Sequence, residues 1–235
     1  MEIELGLVSQ MACYVIWLAA VFGLAEWLRN RQFDGEAVRK VIHIGVGNII
    51  VLAWLLDIPQ MIAVAVSLLF SFVALLSYRI KILQSLNGVA RDSYGTFFYA
   101  ASIATLFALF WRPGLHAYAA IGVLVMTWGD ALAALIGRRW GRRKYVVAGV
   151  TKSWEGSAVM WLISSIAIAA VLSASSLWMQ EQPLGWGFVI FGALVIGAIS
   201  AILEMLSWRG LDNITVPLAS AGLSYWLIEL SAIGH

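Results

Sequence analysis

Between Trp128 and Ser157 the chain reads WGDALAALIGRRWGRRKYVVAGVTKSWEGS. Asp130 interrupts a run that is otherwise apolar from Ala117 to Ile136, and an ionisable residue inside a membrane span marks a functional site by default. Arg138, Arg139, Arg142, Arg143 and Lys144 follow within seven residues. Such a cluster either anchors the chain beside acidic lipid or binds phosphate. Gly137, Gly141 and Gly149 punctuate the run, and glycines let backbone N–H groups approach a polyphosphate closely, which favours the second use. Lys152, Ser153, Glu155 and Ser157 add a cation, hydroxyl donors and another carboxylate. Together these residues describe a place where phosphates and a divalent cation meet at a membrane surface. The Lys152-Ser153 pair does not belong to a Walker loop, because Thr151 and Val146 stand where that loop needs glycine.

Chemistry-bearing residues outside this stretch are few. Glu204 falls, by residue count, at the depth of Asp130. Either it is a helix-end carboxylate neutralised by Arg209, or it joins Asp130 in holding Mg²⁺, an ion that takes oxygen ligands from one or two carboxylates plus substrate phosphates. Asp212 and Asn213 add oxygens in the adjoining loop. Arg39 and His43 stand four apart on one helix face. His43 is either a general base, for which an ordinary pKa near 6.5 is suited, or a buried neutral histidine. Asp92 either caps a helix or shapes a lipid entrance, and Glu26 pairs with Arg29 or Arg31.

The elements that must position these groups are membrane helices. A span takes about 20 apolar residues, and eight candidates fit: 6–28, 40–56, 59–78, 95–111, 115–137, 157–178, 186–207 and 214–231. The second and fourth are short, so seven is the alternative count. Fourteen of the fifteen Lys and Arg fall in four alternate loops, leaving Arg112 on the other side. By the positive-inside rule those loops are cytoplasmic and both termini lie outside. The expected fold is an all-α polytopic bundle, one integral-membrane domain over 1–235, with its site on the cytoplasmic face.

Composition agrees. The chain is 62% hydrophobic and 12% charged, about half the charge of a soluble domain. One cysteine, Cys13, excludes a disulfide framework, and a net charge of +2 without a basic-aromatic stripe argues against nucleic acid as a partner. Glu2 and Glu4 before the first apolar run do not make the positive start of a cleaved signal peptide.

The stretches GDALAALIGRRWGRRKY and TKSWEGS, with Arg39-Lys40-Val41-Ile42-His43 and Glu204 followed by Gly210-Leu211-Asp212-Asn213-Ile214-Thr215-Val216-Pro217, resemble the signature of the CTP-dependent lipid-alcohol kinases. That family, of phytol and dolichol kinases, is itself similar to the phosphatidate cytidylyltransferases. The matched pieces run from Arg39 to Pro217, at 39–43, 128–157 and 204–217. The resemblance implies Mg-assisted phosphoryl transfer from CTP to a lipid alcohol lying in the bilayer. It implies a nucleotide cradle of Arg39, Lys40, Gly137, Arg138, Arg139, Gly141, Arg142, Arg143, Lys144 and Ser153. Asp130, His43, Lys152 and Glu155 form the implied catalytic set, with Asp130 and Glu204 on the metal. Val150-Thr151 before Lys152 depart from the Gly or Pro expected there. Phytol, polyprenols such as dolichol, farnesol-type alcohols and diacylglycerol form the implied acceptor class. The alternatives are a cytidylyltransferase making CDP-diacylglycerol and, from another class, a small ion-coupled transporter. Transport would favour polar residues at mid-membrane and broken helices.

Overall fold

In lipid every backbone N–H and C=O must be satisfied within the protein, so apolar runs of this length become helices. A computed structural model describes residues 6–77, 94–178 and 185–233. Its helices are α1 (Leu7–Asn30), α2 (Gly35–Gly47), α3 (Ile49–Leu55), α4 (Gln60–Ser77), α5 (Gly95–Phe110), α6 (His116–Leu124), α7 (Ala131–Trp140), α8 (Trp154–Trp178), α9 (Trp186–Leu206) and α10 (Asp212–Ile233). Val125–Asp130 forms a stretch of π-helix joining α6 to α7. Two short strands, β1 (Lys144–Val147) and β2 (Val150–Ser153), join α7 to α8.

Each of the eight expected spans corresponds to a helical segment, with α2 and α3 sharing one and α6, the π stretch and α7 sharing another. Among the described residues six such segments are long and apolar enough to cross a membrane, and α5 is a shorter apolar helix. The last, α10, has the length but carries Asp212, Asn213, Ser220, Ser224 and Glu229 along it. It begins before Pro217, which therefore lies inside the helix rather than at its start. The all-helical expectation is met, with one addition: β1 and β2 make an antiparallel hairpin in which Lys144 pairs with Ser153 and Val147 with Val150. Its two-residue turn, Ala148-Gly149, has positive φ at both positions (47° and 81°), the backbone that a tight type I′ hairpin turn requires.

The centre of the bundle is α6. Every residue from Ala117 to Val123 is buried, and α10, α5, α8 and α3 pack around it. The chemistry-bearing π stretch is thus the continuation of the innermost helix. Helix α1 is peripheral, packing on α2 with only Val21 and Ala25 buried. Small residues set the close approaches: an added Cβ at Gly129 would stand 2.7 Å from Met160 Sδ, and one at Gly156 would stand 2.9 Å from the Ala133 carbonyl oxygen and 3.3 Å from Gly137 Cα. The last contact is with backbone, which cannot swing aside. Gly156→Ala is therefore expected to destabilise by about 1–3 kcal/mol through forced separation of α7 and α8. Thermal unfolding in detergent reads this directly, and an unchanged melting temperature would refute the packing account.

Candidate active site

The site is built from two lysine–carboxylate pairs that join helices distant in sequence. Lys40 of α2 is buried, and its Nζ lies 2.5 Å from Asp130 Oδ2 at the end of the π stretch. Side-chain exposure is 2% for Lys40 and 14% for Asp130, so the pair is held where solvent screens it little. Lys152 of β2 reaches Glu204 near the end of α9, 2.7 Å from Oε1, and also donates to the Glu204 carbonyl oxygen. Asp130, Glu204 and Asp212 are close enough to act on one another electrostatically, together with Lys40 and Lys152. Groups from α2, the π stretch, β2, α9 and the start of α10 thus come together.

His43 completes the first pair. Its Nε2 lies 3.3 Å from the Met126 carbonyl oxygen and 3.6 Å from Asp130 Oδ2. Both neighbours are acceptors, which assigns the proton of the neutral ring to Nε2 and leaves the lone pair on Nδ1. The π-helix matters here, because such stretches are uncommon and concentrate at functional sites. In six residues it supplies the Met126 carbonyl, the Thr127 hydroxyl and the Asp130 carboxylate to α2 and α5.

Arg39 is close enough to act electrostatically on Asp130 and Asp212 but pairs with neither. It forms a two-pronged pair with buried Glu36, at 2.6 and 3.0 Å, and Arg138 approaches the same Glu36 at 3.7 Å and Asp34 at 3.8 Å. Glu36 therefore ties the start of α2 to the end of α7, a role the sequence reading missed although Glu36 and Arg39 stand three apart on a helix. Arg139 stacks over Trp140 at 5.3 Å. Arg142, Arg143 and Lys144 are exposed at the entry to the hairpin.

The structure gives several expected phosphate or catalytic residues a positioning duty. The Ser153 hydroxyl accepts the Gly156 N–H at 3.1 Å and lies 3.4 Å from the Gly137 carbonyl oxygen, the geometry of an N-cap for α8. Gly137 and Gly141 both face Ser153, so the missing side chains admit the start of α8. Glu155 is half-buried and accepts the Arg143 N–H at 3.1 and 3.3 Å, closing the base of the hairpin. Tyr145, opposite Lys152 in the ladder, bonds Ser157 at 2.6 Å. Burial pushes the Tyr145 hydroxyl above its ordinary pKa, so it stays protonated.

Of the two readings of Glu204, neutralisation by Arg209 is not what the structure shows, since Glu204 is paired with Lys152; Asp130 is paired with a lysine 90 residues earlier. Glu26 pairs with Arg29 at 2.5 Å, as expected. Asn213 donates to the Asp212 carboxylate and the Gly210 carbonyl at the start of α10. Asp92 and the loop around it lie outside the described residues.

The donor set suits Mg²⁺ chemically, since carboxylate oxygens are what that ion takes and one or two suffice beside substrate phosphates. Among the described residues no three of His, Cys, Asp and Glu are gathered as a ready cage.

The chain is 43% identical over 213 residues to phytol kinase of Synechocystis sp., a match covering 89% of this chain and 87% of that one. It is 30% identical over 206 residues to the chloroplastic farnesol kinase of Arabidopsis thaliana, covering 80% and 64%. A probable chloroplastic phytol kinase of Oryza sativa subsp. japonica is 28% identical over 222 residues, covering 86% and 70%. No family model and no solved structure matches the chain.

Proposed function

The chain belongs to the phytol kinase family of lipid-alcohol kinases, and we propose that it phosphorylates a membrane-embedded prenyl alcohol of the phytol or farnesol class, with CTP as donor and Mg²⁺ as the assisting ion. The observation that carries this reading is the convergence of the Lys40–Asp130 and Lys152–Glu204 pairs at one end of a membrane bundle. CTP as the donor rests on the motif resemblance.

Phosphoryl transfer asks a protein mainly to position the reactants and to offset charge on the transferring group. Asp130 and Glu204 would hold the ion, with Asp212 as the further carboxylate, and when bound it would neutralise charge on the donor's phosphates. Lys40 and Lys152 compensate the two carboxylates before nucleotide arrives. Phosphate oxygens then compete for the same lysines, while Arg138, Arg139, Arg142, Arg143 and Lys144 draw the polyphosphate toward the helix end. His43 would take the acceptor's proton at Nδ1. The alcohol oxygen forms its bond to the γ-phosphorus as the bond to the leaving oxygen breaks, and CDP departs with that electron pair. Placement beside the bilayer follows from the acceptor, since withdrawing its chain from lipid costs roughly 0.8 kcal/mol per CH₂. The positive-inside distribution supports a cytoplasmic orientation of this end.

Purified protein in detergent with Mg²⁺ and γ-labelled CTP or ATP, offered farnesol, phytol, polyprenol, diacylglycerol and phosphatidate, tests the reading. Label transferred from CTP to a prenyl alcohol is the expected result. Transfer from ATP alone would overturn the donor assignment. Pyrophosphate release with a CDP-lipid from phosphatidate would overturn the kinase reading itself.

A further inference from the structure

We infer that Tyr99, acting with Thr127, is a positioning residue for the proton acceptor of the transfer: it holds His43 in register with Asp130 without touching nucleotide or alcohol. This rests on the proposed role of His43. Tyr99 lies in α5, a helix with no part in the lysine–carboxylate pairs, and is buried. Its hydroxyl donates to the His43 carbonyl oxygen at 2.7 Å and stands 3.2 Å from Thr127 Oγ1. Its ring lies against the His43 imidazole with centroids 4.1 Å apart and planes inclined by 39°. One side chain therefore grips His43 twice, by its backbone and by its ring.

Thr127 belongs to the π stretch that also carries Met126 and Asp130, the two residues whose oxygens face His43 Nε2. The Tyr99 hydroxyl is thus the joint between α2, which bears the imidazole, and the π stretch, which bears its oxygen partners. Gly47 fits the same account, because any side chain there would collide with the Thr127 and Tyr99 hydroxyls. A phenol inside an apolar helix is unfavourable unless its oxygen is bonded, and phenylalanine would fill nearly the same volume. The oxygen is what the position needs.

Tyr99→Phe keeps the ring and removes the joint. It is expected to lower kcat by about ten- to hundredfold, the scale on which small misplacements of reacting groups act, while KM for nucleotide and alcohol stays within roughly twofold. Thr127→Val should act in the same direction and Thr127→Ser should restore the rate. In a His43→Gln background, Tyr99→Phe should cost nothing further, because a positioning residue has no effect once the group it positions is gone. Wild-type kcat in both Tyr99→Phe and Thr127→Val would overturn the inference, as would an undiminished Tyr99→Phe effect in the His43→Gln background. If His43→Gln alone keeps the wild-type rate, the proposed role of His43 fails and this inference falls with it. If His43→Gln is inactive while Tyr99→Phe is not impaired, only the positioning role fails. Should Tyr99→Phe not fold, the two Thr127 variants measure the same joint from its other side.

Discussion

Asp130→Asn is expected to lower kcat by about a thousandfold or more while the protein still folds. The substitution conserves volume and leaves an oxygen, so the π stretch keeps its shape, but it removes the negative charge that Lys40 meets at 2.5 Å and that the proposed ion would meet. Losing one preorganised electrostatic group in a site sheltered from water costs about 10²–10³ in rate. Here the same carboxylate faces Lys40 and His43 and would also hold the ion, which places the effect at or above the upper end. Single-turnover transfer of label from CTP, with bound nucleotide measured separately, checks this. A rate within about tenfold of wild type would remove Asp130 from the centre of the site.

Lys40→Met is expected to destabilise the protein by about 3–5 kcal/mol, because it leaves a largely buried carboxylate without its cation, and Asp130→Asn is expected to carry a cost of the same kind by stranding the buried Lys40. The double variant Lys40→Met with Asp130→Asn should recover most of that stability, since neither charge is then stranded, yet remain inactive. The recovery is the informative part: residues in one buried pair are non-additive, whereas independent sites add. Denaturant or thermal unfolding in detergent, with the four proteins of the cycle side by side, reads the coupling. If the double variant is as unstable as the sum of the two single ones, the pair does not hold α2 to the π stretch.

The two effects separate the duties of one residue. On the proposed reading Asp130 would serve stability through Lys40 and chemistry through the charge it presents, and the double variant distinguishes the two. Lys152 and Glu204 form a parallel pair with similar exposure, 13% and 12%, but Lys152 stands on a hairpin at the edge of the bundle. Breaking that pair loosens the hairpin rather than the central helix, so its cost to the fold is smaller.

Much of the architecture was legible before any coordinates. Eight apolar runs became eight helical segments because burial of apolar surface in lipid and the internal pairing of backbone groups both act along a single stretch of chain. Asp130 stood out for the same local reason, as a charge in a run that otherwise excludes charge. The β hairpin was not legible. Its strands are four residues each and its turn uses Ala148 where asparagine or glycine is the usual signal. The glycines of the basic run were also misleading in part. Gly137 and Gly141 suit close approach by phosphate backbone oxygens or by another helix equally well, and here Ser153 and the start of α8 occupy the space.

Membrane insertion, the positions of the helices, the gathering of cations in alternate loops and the membership of a kinase family all follow from residue order, because each depends on transfer energies or motifs contained in one contiguous stretch. The partners of those residues do not. Lys40 finds Asp130 across 90 residues and Lys152 finds Glu204 across 52, while Tyr99 reaches His43 across 56. Which helices lie side by side is set by how small and large residues interlock around α6, a property of the whole bundle. That packing turns scattered lysines and carboxylates into paired charges in a low-dielectric site, where each becomes strong enough to matter.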